Sequence, residues 1–308
     1  MGMFDKLFGD KSSIDRVVGG TDQEQRRVRK QAEKFFKDQE FDELVGREIP
    51  KTREDIEMLE LIAAEIDLLR EKYGLPSYRV PPENVHLMMP DDPFMRAPGE
   101  FKPAMQAMFL KADTSRAAMM HIAFHEMVHF KSFQSLQPDG EKTSLRRVGL
   151  SAELAEGDIV AFGALNEAVT EELTIRFMRK MADHPFIKPE REAKERLYAK
   201  WGKPDRPDFF RAKQVRGPKG EVEYILQGFG YPKERQALNA LIDKLMEKTP
   251  ERFRDREEIF EMFAGGAFNG HLLELARLIE DAFGQGSFRK IAEFGHDRDK
   301  LLEFVESL

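Results

Sequence analysis

Apolar residues recur every three or four positions through much of this chain, and elsewhere they bunch into short runs bounded by Pro and Gly. Ile56, Leu59, Ile62, Ala63, Ile66 and Leu69 follow helical spacing. Thr52 opens that stretch, with Glu54 and Asp55 in its first turn, and Tyr73-Gly74 followed by Pro76 closes it. Thr21-Asp22 opens a more highly charged helix running to about Asp38, and residues 1–20 before it read as a mobile lead-in ending at Gly19-Gly20. The apolar runs at 84–89 and 103–112 suit strands, and 115–133 is predicted to be a helix. Residues 143–152 and 157–164 read as a pair of strands joined by a polar turn, with a long helix from Leu165 to about Met181.

Residues 184–220 break the pattern with five prolines, several glycines and a heavy Lys/Arg load, and are read as a short helix plus an irregular basic insertion. After the stretch 222–229 the chain is helical to its end, with Tyr231-Pro232 and Thr249-Pro250 each placing Pro at a first helical position. The expected fold is therefore α+β and predominantly helical. An N-terminal lobe, 21–162, carries charged helices, short strands and the 115–133 helix, and a helical lobe spans 163–308.

Composition narrows the chemistry. The 308 residues contain no cysteine, which excludes a disulfide framework and any thiolate metal site, so a metal would be held by His, Asp and Glu. The net charge of −7 gives no global basic field of the kind that attracts nucleic acid. The basic stretch from Lys188 to Lys219 interleaves Trp201, Phe209 and Phe210 but matches no nucleic-acid-binding motif, and is read as a solvated loop. No run approaches a membrane span and the first residues lack an apolar core of signal-peptide length, so a cytoplasmic location with no membrane partner is expected.

Of seven histidines, three fall in the run His121–His129, which contains His125-Glu126-Met127-Val128-His129. On a helix each residue turns the side chain by about 100°, so His125 and His129 differ by about 40° and can reach one ion. Glu126 points roughly 80° from their mean direction, which suits a general base leaning over the ion rather than a ligand. A catalytic zinc needs a third protein ligand and an open fourth position. The continuation Phe130-Lys131-Ser132-Phe133 supplies no further His, but Glu167 and Glu171 stand four apart on the following helix. One of these carboxylates can bind the metal while the other hydrogen-bonds a ligand histidine and fixes its tautomer.

The combination resembles the gluzincin metallopeptidases, whose thermolysin-like members carry an Asn-Glu-Ala-x-x-Asp stretch. Asn166-Glu167-Ala168-Val169-Thr170-Glu171 is similar to it, with Glu in the last place. The resemblance covers roughly residues 100–180 and implies one catalytic zinc ion held by His125, His129 and Glu167, with Glu171 behind a ligand histidine and Glu126 as the base. It also implies a zincin-like α/β lobe carrying the active-site helix, a mainly helical lobe after it, and a peptide or protein substrate in the cleft between them. In such enzymes a Tyr or His from the downstream lobe steadies the oxyanion. Tyr231 is the first choice here, ahead of Tyr198, Tyr224, His184, His271 and His296.

Other residues have plainer readings beside sharper ones. His121, one turn before His125, is a fourth ligand, a group behind the ligands, or an ordinary satisfied histidine. His86 is read as structural. Met105 and Met108 are either core filling or the wall of an apolar subsite beside an edge strand. A second functional reading is a zinc-binding regulatory protein without proteolysis, using the two charged N-terminal helices to hold a partner. Four protein ligands, His121 included, would favour it, and the presence of Glu126 favours the enzyme.

Overall fold

The computed structural model describes residues 13–39, 41, 46–93, 95–113, 115–153, 160–205, 207, 210–217 and 221–308. Strand β1 (Arg16–Val17) precedes helices α1 (Asp22–Lys37) and α2 (Arg53–Lys72). Both helices begin with a capping box, Thr21 with Glu24 and Thr52 with Asp55, so side chains satisfy backbone N–H groups that the helices leave open. Strands β2 (Val85–Met88), β3 (Gly99–Lys102) and β4 (Ala107–Lys111) form a sheet in the order β2-β4-β3. Within it β2 runs parallel to β4, and β3 is the antiparallel edge.

Helix α3 (Arg116–Lys131) follows, and after it β5 (Gln134–Asp139), β6 (Lys142–Val148), β7 (Ser151–Glu153) and β8 (Val160–Ala161). These four strands are antiparallel neighbours, and β1 adds to β5 in parallel. Helices α4 (Gly163–Lys180) and α5 (Lys188–Trp201) lead to a two-stranded antiparallel hairpin, β9 (Phe210–Arg216) and β10 (Val222–Gly228). Helices α6 (Pro232–Lys248), α7 (Arg256–Asn269), α8 (Leu273–Phe283), α9 (Ser287–Glu293) and α10 (Arg298–Ser307) complete the chain. The fold is α+β and predominantly helical. None of the described helices is long and apolar enough to cross a membrane.

One apolar core runs from Phe36 in α1 through α2, α3, α4, α6, α7 and α8 to Val305 in α10, and so crosses the expected lobe boundary at 162/163. Helix α3 lies inside it, with all but Arg116, Ile122 and Glu126 buried. Its ends are tied down. Ser115 Oγ accepts from Ala118 N (2.9 Å) and donates to Glu190. At the other end Tyr78 Oη donates to the Phe130 carbonyl (2.8 Å), and Arg70 donates to the Lys131 carbonyl. Lys131, fully buried, reaches Asp67 at 2.6 Å. Cations at a helix C-terminus also complement its dipole.

Four expectations need correction or narrowing. Residues 1–12 of the expected mobile lead-in lie outside the described residues, but 13–20 are anchored. Ile14 and Val17 are buried, and Ser13 N donates to Gln106 Oε1 (2.9 Å), while Asp15 N and Gln134 N donate to each other's oxygens (3.0 and 2.8 Å). The expected strand 143–152 is two strands folded at Gly149, whose φ of +59° is available at low cost only to glycine. In 184–220 the expected short helix is α5, but the part expected to be irregular includes β9, the first strand of a hairpin, with Ala212 buried. Pro250 does not open a helix; α7 starts at Arg256 behind the Asp255 cap. Pro232 does stand at the start of α6.

His86 is structural, as expected. Its Nδ1 lies 3.0 Å from Glu48, its Nε2 lies 3.2 Å from Gln39, and its ring stacks on Phe109. Burial holds its pKa below the usual histidine value, against the pull of Glu48. The unfolded chain therefore takes up this proton first, near pH 6.5, so the contribution of neutral His86 is present above that pH and lost as pH falls through the folded value. The difference in urea midpoint between wild type and His86→Asn is expected to shrink from pH 7.5 to pH 5.5.

Candidate metal centre

The site is built where α3, α4 and the start of α6 meet the edge strand β3. His125 and His129 stand one turn apart on α3 and are buried, and the half-buried Glu167 faces them from the second turn of α4. His125 Nε2 lies 3.2 Å from His129 Nε2 and 3.2 Å from Glu167 Oε2, and His129 Nε2 lies 3.5 Å from Glu167 Oε1. Among the described residues this is the one group of three or more His, Asp or Glu side chains with donor atoms close enough to share an ion.

The spacing fits a small tetrahedral cation. Ligand distances of about 2.0–2.1 Å imply edges of about 3.3–3.4 Å between ligand atoms. The two separations from His125 Nε2, 3.2 Å each, lie close to that value, and His129 Nε2 approaches the other oxygen of Glu167, Oε1, at 3.5 Å. Two imidazole nitrogens and a carboxylate oxygen are also a donor set that zinc accepts in open, three-ligand sites.

The groups behind the donors are fixed in turn. His125 Nδ1 lies 3.0 Å from Glu171 Oε2, one turn further along α4. The Asn166 side chain accepts from Leu150 N (2.8 Å) and comes within 3.4 Å of His129 Nδ1. A Cβ on Gly149 would stand 2.3 Å from Asn166 Oδ1, so the β6–β7 turn must be glycine for Asn166 to sit there. His121 Nε2 does not join the three donors; it lies 3.1 Å from Glu171 Oε1, with its ring stacked on Phe229.

Glu126 leaves α3 on the side of the edge strand, where its Oε2 accepts from Phe101 N at 3.0 Å. Gly99 makes this approach possible, since a Cβ there would meet Ile122 Cγ2 at 2.5 Å and Glu126 Cγ at 2.8 Å. Tyr231, the residue before α6, has a left-handed backbone (φ 54°, ψ 44°), and its ring stacks on His125 with centroids 5.3 Å apart and planes 10° apart. His125, Glu126, His129, Glu167 and Tyr231 all line one open cleft of ≈ 260 Å³, walled by β3 on one side and by Leu145, Val148 and Ser151 on the other.

The electrostatics follow from burial and crowding. Burial works to raise the pKa of Glu167, but His129 and His125 hold it well below the ordinary carboxylate value. Glu171 is held down against burial in the same way, by His121 and His125. Burial would lower the pKa of His125, yet hydrogen bonding to Glu167 and Glu171 lifts it well above the usual value. Glu126 is raised, by burial first and by the Glu167 charge, with His125 and His129 opposing. Burial and the three carboxylates also push up the Tyr231 phenol, so it stays protonated and able to donate.

Of the residues expected at the site, His125, Glu126, His129, Glu167 and Tyr231 line the cleft, and Glu171 stands behind His125. The other aromatic and histidine candidates do not line the cleft. Tyr198 donates to the Pro207 carbonyl (3.0 Å), and the His296 ring packs where a Cβ of Gly163 would be. Met108 is fully buried core, and Met105 packs against the small cluster around Met88 and Phe109. Sequence reading missed Gly99, the Phe101 N–H and Phe229; no spacing rule marks them, because each acts through an approach between distant segments. No family model, curated protein or solved structure matches the chain.

Gly99→Ala is expected to lower unfolding stability by about 1–3 kcal/mol, the usual penalty for overpacking, because neither Ile122 on buried α3 nor the strand can retreat freely. Urea denaturation measures it.

Proposed function

We propose that the chain is a cytoplasmic zinc metallopeptidase of gluzincin type that hydrolyses peptide bonds. The observation that carries this reading is the convergence of His125, His129 and Glu167, with His125 Nε2 3.2 Å from both His129 Nε2 and Glu167 Oε2, and Glu126 on the same cleft but outside that group. His125, His129 and Glu167 would hold one zinc ion. That ion supplies Lewis acidity, bringing the pKa of a water molecule to roughly 7 and polarising the substrate carbonyl.

The side chains then divide the remaining work. Glu126, with its raised pKa, suits a base that accepts the water's proton and afterwards gives it to the leaving amine. The backbone bond from Phe101 keeps one of its oxygens fixed while the other serves the cleft. Tyr231 keeps its phenolic proton and stands at the cleft over His125, where it can donate to the oxyanion that forms on the attacked carbonyl. Glu171 accepts from His125 Nδ1, which would leave Nε2 as the nitrogen that holds the ion once its proton is displaced. The edge of β3 that faces away from β4 borders the cleft and, apart from the Phe101 N–H held by Glu126, would offer its backbone groups to an extended peptide. The alternative, a regulatory zinc protein without proteolysis, is disfavoured by a donor set of three with His121 turned away, and by Glu126 itself.

Elemental analysis of purified wild type is expected to give close to one zinc per chain, with clear loss in Glu167→Gln. Absence of zinc after reconstitution would remove the reading. Glu126→Gln is expected to keep its zinc while hydrolysis of a mixed peptide library falls by roughly 10²–10⁴-fold. Tyr231→Phe is expected to lower kcat by roughly 10²–10³-fold with KM little changed. An unchanged kcat would take the oxyanion role away from this phenol.

A further inference from the structure

Glu171 is shared. Its Oε2 lies 3.0 Å from His125 Nδ1 and its Oε1 lies 3.1 Å from His121 Nε2, so two histidines one turn apart on α3 hold the two oxygens of one carboxylate on α4. Glu171 is 1 % exposed and His121 6 %, so solvent does not supply either partner. The segment leaving the β9–β10 hairpin closes this arrangement from above. Phe229 stacks on His121 (centroids 5.2 Å, planes 20°) and Tyr231 stacks on His125. Between them a Cβ on Gly230 would stand 3.8 Å from Glu171 Oε1. Three consecutive residues therefore cover His121, the carboxylate and His125 in turn.

We propose that His121 is a positioning residue for the metal ligand His125, acting through Glu171. The inference rests on the proposed metal site. A carboxylate held at one oxygen by His125 alone can rotate about its terminal torsion, which is broad and soft. A second contact at the other oxygen fixes the carboxylate plane, and with it the direction in which His125 presents Nε2. His121 Nε2 is also the side-chain nitrogen set against the buried Oε1, at 3.1 Å. Phe229 stacks on the His121 ring and keeps its Nε2 beside that oxygen. The hairpin joins the centre by covering these side chains and supplies no donor to the ion.

The test uses the full chain and zinc or cobalt(II) alone as probe. His121→Phe keeps an aromatic ring to stack on Phe229 but removes the nitrogen facing Glu171. His121→Gln keeps an N–H. Metal affinity of His121→Phe is expected to fall about 10–100-fold, the range usual for loss of a group that orients a ligand. His121→Gln is expected to recover most of it, and the cobalt absorption bands of the Phe variant are expected to shift while those of the Gln variant follow wild type. Thermal melts of the metal-free proteins check that the variants fold. If the Phe variant does not, His121→Met, which also lacks an N–H and packs more compliantly, takes its place. Wild type that binds no metal would overturn the proposed function and this inference with it. Wild type that binds, with His121→Phe binding equally well and giving the same cobalt spectrum, would overturn this inference alone. Equal losses in the Phe and Gln variants would also overturn it, as a purely steric role for the ring.

Discussion

Helix α3 is buried at every position but Arg116, Ile122 and Glu126, and the rest of the structure answers that constraint. A helix apolar nearly all round must be enclosed on every side. Here α2 and β4 pack on one flank, α4 on another, and β3 comes close enough to need glycine at 99. The few polar side chains of α3 must then find partners inside the protein, because a buried polar group without one costs free energy. Lys131 takes Asp67, Glu126 takes the Phe101 N–H, and His121, His125 and His129 take the carboxylates of α4. The site is a consequence of burying a helix that carries three histidines and a glutamate.

That burial sets up the electrostatics. Glu126, Glu167 and Glu171 crowd a region where each lost hydration must be replaced by a specific partner. Glu171 has an imidazole beside each oxygen, His125 at 3.0 Å as a hydrogen bond and His121 at 3.1 Å, whereas Glu167 shares its partners with the opening of a cleft. The two carboxylates on one helical face thus have different roles because of position alone. The inner one faces a closed pair of histidines, and the outer one faces the convergence of two Nε2 atoms. A cation at that convergence would replace the mutual contacts of His125, His129 and Glu167 with ligand bonds and require little movement of the three donors.

Much of this was legible in the chain, for reasons of locality. Capping boxes at Thr21 and Thr52, the stop at Tyr73-Gly74, and the helical spacing of His125 with His129 and of Glu167 with Glu171 are short-range relations, and the structure keeps them all. The losses were of another kind. The hairpin of β9 and β10 hides in a Pro-, Gly- and Lys/Arg-rich stretch, and neither half-buried β9 nor mostly exposed β10 alternates cleanly between core and solvent. Strand β1 is two residues long and exists because β5 offers it an edge, which no local pattern announces. Pro250 has the composition of a helix start but sits in a turn ahead of the Asp255 cap that does start α7.

The hairpin also explains the backbone at Tyr231. Left-handed geometry costs a non-glycine residue roughly 1–2 kcal/mol, and a Pro at the next position restricts it further. Such a conformation persists only where its surroundings impose it. Here β10 must deliver the chain to the first turn of α6 within three residues, passing over Glu171. The turn at Tyr231 makes the reversal and lays the phenol flat on His125. An extended residue at 231 would carry the ring along the strand direction instead. Phe162 does the same at the start of α4, with φ at 58° and its ring against Phe288. Helices α4 and α6 are therefore each entered through a left-handed aromatic residue, Phe162 packed into the core and Tyr231 laid on His125.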